Sequence, residues 1–165
     1  MSPLVTAKSS KLPETAFAAA LLNVAGSRSL PDLGAAFHQE IGRLVGSRSI
    51  GLYAIEDKRP RLLFSRQAAE GFLQEYDASS ERDIIVDRLC EHRRAVDGFT
   101  LLGPVLWRQS GSFDLLTRWG YHHCMAGPLC VDGQVIGLVY TADQGNPQPY
   151  GASLLERMDV LCQAG

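Results

Sequence analysis

Apolar residues recur at helical spacing in several stretches and in short strand-like runs between them. A helix is predicted over 13–25, where Phe17, Leu21 and Val24 share a face and Gly26-Ser27 follow. A second opens at Leu30-Pro31-Asp32, residues that suit a first turn. Its stripe of Leu33, Phe37, Ile41, Leu44 and Val45 ends at Gly46. Residues 50–55 and 61–66 read as a hairpin turning over 56–60. Residues 68–77, with Phe72 and Tyr76, read as a short helical or irregular stretch. Ser80-x-x-Asp83 resembles a capping box for a long helix through Ile84, Ile85, Leu89 and Cys90, closed by Gly98. Residues 99–102 read as a strand, ending in Gly103-Pro104. The stretch 105–121 holds both tryptophans and a short helix capped by Ser112 and stopped by Gly120.

The clearest hairpin joins 125–131 to 134–142 through the turn dipeptide Asp132-Gly133, and a final helix covers 149–162. Residues 1–12 read as a loose polar arm before one domain over 13–165. Strands and hairpins interleaved with helices predict a mixed α+β domain with a largely antiparallel sheet.

Composition narrows the functional classes. The chain has 165 residues, 45% hydrophobic and 21% charged, which is ordinary for one globular domain and too apolar for a disordered tail. Sixteen basic residues against 18 acidic ones give a formal net charge of −2, so no basic excess points to nucleic acid. The longest apolar run, 16–22, is far short of the ~20 residues that span a bilayer, and the first residues lack a secretory signal. A cytoplasmic chain is expected. Cys90, Cys124, Cys130 and Cys162 contain no C-x-x-C pair, and most are expected to be reduced and buried as small hydrophobes.

The segment Ala126-Gly127-Pro128-Leu129-Cys130-Val131-Asp132-Gly133-Gln134-Val135-Ile136-Gly137-Leu138-Val139-Tyr140 is the most informative. It resembles the C-terminal hairpin of GAF domains, with Asp-Gly supplying positive φ and Gly137 allowing close backbone packing. The 33–45 helix followed by Ser49-Ile50-Gly51-Leu52-Tyr53 resembles the family's first helix and strand. The resemblance implies a GAF-like central antiparallel sheet of five or six strands. Terminal helices would pack on one face, and a ligand pocket with covering helices and loops would lie on the other. It also implies a sensory module for a small-molecule effector, of the kind found N-terminal in LuxR-like or sigma-54-dependent regulators. An output domain would then lie beyond Gly165 or on a partner chain, and the terminal helices (13–25 and 150–163) would form a homodimer surface.

In that layout the stretch 107–124 is chemically dense. Trp107, Trp119 and Tyr121 suit an apolar pocket wall, while Arg108 or Arg118 suits bidentate anchoring of a carboxylate or phosphate. Tyr53, Phe64, Phe72, Tyr76 and Tyr140 are further aromatic candidates. Strict alternation would turn His122 and Cys124 to one side and His123 to the other. Two ligands are too few for a structural zinc; one histidine suffices for haem, but a strand histidine with a satisfied hydrogen bond is the simpler reading. No metal and no catalytic residue is therefore assigned, and no cofactor is named.

Ligand classes known in the family include cyclic nucleotides, bilins and haem-bound gases. The N-K-x-n-F-x-x-x-D-E pattern of cyclic-nucleotide binders is absent, and His123-Cys124 reverses the order of the common bilin-attachment pair. The expected function is thus a ligand-binding sensor. The alternatives are a thiol redox enzyme using Cys124 beside a histidine, and a GAF domain without ligand that mediates dimerisation.

Overall fold

The fold is organised by one antiparallel sheet whose two faces are both covered. A computed structural model describes residues 14–79 and 83–165. The strands are β1 (Ser49–Glu56), β2 (Arg59–Arg66), β3 (Val96–Asp97), β4 (Tyr121–Val131) and β5 (Gln134–Gln144), in the spatial order β2-β1-β5-β4-β3. The helices are α1 (Glu14–Ala25), α2 (Leu30–Leu44), α3 (Glu70–Ala78), α4 (Ile84–His92), α5 (Gly98–Arg108), α6 (Gly111–Arg118) and α7 (Ala152–Cys162).

Because side chains alternate along a strand, each central strand serves two cores. Ile50 and Leu52 of β1, Met125 and Leu129 of β4 and Val139 of β5 join the side holding α1, α2 and α7. There they meet Phe37, Ile41, Met158 and Leu161, all fully buried. Tyr53, Leu138, Cys124 and Ala126 face the opposite core with Ile85, Leu89, Trp107 and Leu116. The terminal helices therefore cover one face, and α3, α4, α5 and α6 cover the other. Buried Glu40 of α2 fastens α1 by accepting from Asn23 Nδ2 at 2.8 Å, and Arg43 pairs with it at 3.1 Å.

Local chemistry sets the element ends. Ser29 caps α2 by accepting from the Asp32 amide at 3.2 Å, with Pro31 in its first turn. Val45 and Gly46, the latter at φ +84°, both donate to the Ile41 carbonyl at the other end. The β4–β5 turn places Asp132 and Gly133 at φ +50° and +75°, as their dipeptide demands.

Several expectations need correction, among them two starts: β4 begins at Tyr121 rather than 125, and α7 at Ala152 rather than 149. The first hairpin turns on Asp57-Lys58 alone, both at positive φ, so β2 starts at Arg59 rather than 61. The 84–98 helix stops at His92 because Arg93 adopts the left-handed conformation. The strand is then β3, and the run 99–102 is helical: Asp97 caps α5, accepting from the Thr100 amide and hydroxyl at 2.7 Å each. Ser110, not Ser112, caps α6, accepting from the Phe113 amide at 3.1 Å. The arm 1–12, Pro13 and the capping residue Ser80 lie outside the described residues, as does the Phe17 side chain. Asp83, placed at the end of the capping box, is itself the N-cap of α4.

Gly137 of β5 pairs with Ala54 of the neighbouring β1, and a Cβ there would lie 2.7 Å from the Tyr53 carbonyl oxygen. Backbone cannot yield as a flexible side chain does. Gly137→Ala is expected to cost about 1–3 kcal/mol, the range of overpacking substitutions. Urea unfolding measures this; an unchanged midpoint would show that the strands part freely.

Candidate functional site

Between the sheet and helices α3, α4 and α6 lies a cavity of about 1050 Å³. Its floor is the face of β1, β5 and β4 that carries Gly51, Tyr53, Tyr140, Ala142 and Cys124. Gly51 pairs with Tyr140 across the strands, and the Tyr53 ring folds back over the space where Gly51 would carry a side chain.

A tyrosine cluster forms one wall. Tyr53, Tyr76 and Tyr140 stand mutually edge-to-face, with centroids 5.7, 5.8 and 6.0 Å apart. Phe72 stacks beside Tyr76 at 6.1 Å and meets Tyr121 at 5.3 Å. Asp83 ties the cluster together. Its Oδ2 accepts from the Tyr76 hydroxyl at 2.7 Å and the Tyr140 hydroxyl at 2.5 Å, while Oδ1 accepts from the Ile85 amide at 2.9 Å. One carboxylate thus starts α4, positions α3 through Tyr76 and reaches the central strand through Tyr140. Tyr121 holds the other end of α3, accepting from the Ala69 amide at 3.0 Å.

The environment keeps these groups protonated. Burial raises the Tyr53, Tyr76 and Tyr140 phenols above their ordinary range, and the Asp83 charge adds to it. Burial likewise pushes up the Cys124 thiol, assisted by Asp83 and Asp97.

Of the residues singled out in the sequence, Tyr53, Phe72, Tyr76, Tyr121, Cys124 and Tyr140 line the cavity together. A bulge in β4 makes this possible. Tyr121 pairs with Gln144 and Cys124 with Ala142, so three steps on β4 match two on β5, and residues three apart both turn inward. Strict alternation fails here, and neither His122 nor His123 lines the cavity. His123 bonds the Pro147 carbonyl at 3.1 Å and meets the Phe99 ring, and the His122 carbonyl accepts from the Trp107 indole at 3.4 Å.

The remaining candidates, Arg118 apart, are placed elsewhere. Phe64 lies on the opposite face of the sheet, its ring over Gly34 of α2, because β2 turns it toward the terminal helices. Trp107 is core, 1% exposed, with its ring over Gly98 and against Phe113. Trp119 is half-buried with its ring over Gly71 of α3, beside the cavity rather than in its lining. Arg108 is exposed at the end of α5 and outside the lining; Arg118 lies at the rim, 3.3 Å from Glu75. Among the described residues, no three His, Cys, Asp or Glu side chains converge as metal ligands. Asp83 is the site residue that sequence reading missed. Its signal was only that of a helix cap, and nothing local announces two tyrosines arriving from positions 76 and 140.

No family model matches the sequence, and no curated protein matches it either. Solved structures do. The GAF domain/HD domain protein from Geobacter sulfurreducens is 18% identical, with a TM-score of 0.59 over 87% of this chain and 92% of that one. GAF3 of Slr1393 from Synechocystis is 16% identical, with a TM-score of 0.59 over 82% and 90%. The chromophore-binding domain of a Stigmatella aurantiaca bacteriophytochrome is 14% identical, with a TM-score of 0.61 over 90% of this chain and 57% of that one. The five-stranded sheet with helices on both faces is a GAF fold. No helix among the described residues is long and apolar enough to cross a membrane.

Two measurements follow from the buried phenols and thiols. A raised native pKa stabilises the fold below the unfolded value and is lost as pH rises past it. Stability is therefore expected to fall from about pH 9, where unfolded thiols ionise, and more steeply beyond about pH 10, where unfolded tyrosines do. Urea midpoints taken at successive pH values test it; a flat profile to pH 11 would contradict the burial described. With a thiol reagent at neutral pH, exposed Cys130 is expected to react at once, and buried Cys124 and Cys162 only on unfolding.

Proposed function

We propose that this chain is a sensory module that binds a small organic molecule in the cavity and passes that event to the terminal helices. From there it would reach an output module on the same or a partner chain, in transcription or another signalling pathway. The observation that carries the reading is the cavity itself. It is of a size suited to an organic ligand, walled by aromatics and furnished with a few fixed polar groups. A structural neighbour that is by name a chromophore-binding domain supports a ligand-binding role for this fold.

Two routes connect the cavity with the helices behind the sheet. Tyr53 faces the cavity while Leu52, the next residue, packs among α1, α2 and α7, so a shift in β1 is felt on both sides. The second runs along α4. Asp83 caps its first turn, and the chain after its last turn is held to α7 by the Ala95 amide donating to Asp159. Ligand that favours one setting of Asp83 would bias the packing of α7, a population shift between two arrangements. Leu22 of α1 is 75% exposed, which suits a homodimer surface on the terminal helices.

Within this reading the chain does no chemistry on its ligand. The Cys124 thiol is held protonated by its burial, and His123 is engaged with the Pro147 carbonyl.

The test is a thermal-melt screen of metabolite mixtures against the wild type and Ala142→Trp, which fills the cavity from β5. A hit at a hundred times its Kd is expected to stabilise the wild type by about 2.7 kcal/mol and the variant not at all. Small-angle scattering should then show a ligand-dependent change in a dimer. Equal stabilisation of both proteins, or a monomer unaltered by ligand at high micromolar concentration, would count against the reading.

A further inference from the structure

The placement of protons and charges around the cavity restricts what it can hold. Tyr76 and Tyr140 each own one hydroxyl proton, and both give it to Asp83. Toward the cavity these phenols can therefore offer only lone pairs. The same holds for four other lining hydroxyls: Ser49 donates to the Ala142 carbonyl, Ser110 to the Trp107 carbonyl, Thr117 to the Phe113 carbonyl and Thr141 to the Ser49 carbonyl. Side-chain donors that these bonds leave toward the cavity include the Tyr53, Tyr121 and Ser112 hydroxyls, the weakly donating Cys124 thiol and the guanidinium of Arg118.

Charge points the same way. Among the described lining residues Glu75, Asp83 and Asp114 are acidic and Arg118 alone is basic, and Arg118 is paired with Glu75 at 3.3 Å. A carboxylate or phosphate entering here would give up its water beside Asp83 and meet protein lone pairs, which is costly. A cation bearing N–H groups would find those lone pairs waiting and a carboxylate opposite its charge. The surrounding rings favour a cation further, since their faces carry negative potential.

We propose that the cavity takes an organic cation, an ammonium or amidinium group on an apolar body. Its charged head sits against Asp83 and the oxygens of Tyr76 and Tyr140. Its body lies along Phe72, Leu73 and Leu116. This rests on the cavity being a ligand site and names the class of that ligand. It replaces the arginine-anchored anion expected from the sequence with the opposite charge.

The experiment pairs probes of one shape and opposite charge: benzamidine with benzoate, and phenethylamine with phenylacetate. Binding is read by saturation-transfer NMR and titration in low-salt buffer at pH 7. The proteins are the wild type, Asp83→Asn, the double variant Tyr76→Phe/Tyr140→Phe, and Ala142→Trp. Asparagine still caps a helix, so D83N removes charge while keeping the start of α4; circular dichroism checks that it folds. The cations are expected to bind the wild type at least tenfold tighter than the anions. They should weaken at least tenfold in D83N and disappear in A142W. If D83N does not fold, the tyrosine double variant replaces it, with at least threefold weakening expected. Anions binding as well as cations, or cations indifferent to both the Asp83 and tyrosine changes, would overturn the charge assignment. If such binding is still lost in A142W, the cavity remains a ligand site and only its class is wrong. If no probe of either charge shows binding that A142W abolishes, both the class and the ligand-site reading fall.

Discussion

Everything in this molecule follows from a sheet that must be apolar on both sides. A sheet with one wet face could alternate hydrophobic and polar residues, and it would have needed only one layer of helices. Here the central strands bury both parities, so the sheet is a partition one residue thick. Ile50 and Leu52 belong to the compartment of the terminal helices, while Gly51 and Tyr53 belong to the cavity. The close approach of β5 to its neighbour β1 at Gly137 keeps that partition tight.

Within the cavity compartment, one carboxylate organises groups that are far apart in sequence. Asp83 gives α4 its cap and accepts the hydroxyls of Tyr76 and Tyr140, so a helix start, a covering helix and a central strand share one acceptor. Hydrogen bonds to a charged acceptor in such a setting are stronger than neutral ones. The geometry also explains the polarity of the site: protons committed to Asp83 are not available to a ligand.

The parts of this fold that sequence could reveal are those written locally. The α2 stripe and the Asp132-Gly133 turn each follow from residues within a few positions of one another. Errors arose where two local readings compete. The apolar run 99–102 suits a strand as well as a helix, and only the Asp97 side chain bonding Thr100 decides for the helix. Arg93 ends α4 in a left-handed conformation with no glycine to announce it. In the site, the aromatics on β1, β5 and β4 were visible as candidates. The bulge that turns both Tyr121 and Cys124 inward was not, because it depends on the pairing of β4 with β5. The same bulge leaves the His122-His123-Cys124 stretch without the convergence its spelling implies.

The two tryptophans occupy different mechanical settings. Trp107 is locked in the core against Phe113 and over Gly98, where only unfolding disturbs it. Trp119 lies on Gly71 of α3, one residue from Phe72 in the cavity wall, and its indole nitrogen is buried without a hydrogen-bond partner. Its ring is thus held by the covering helix rather than by a polar anchor. The molecule carries two native indole fluorophores with separate duties: one reads the integrity of the fold, the other the position of the cavity's cover.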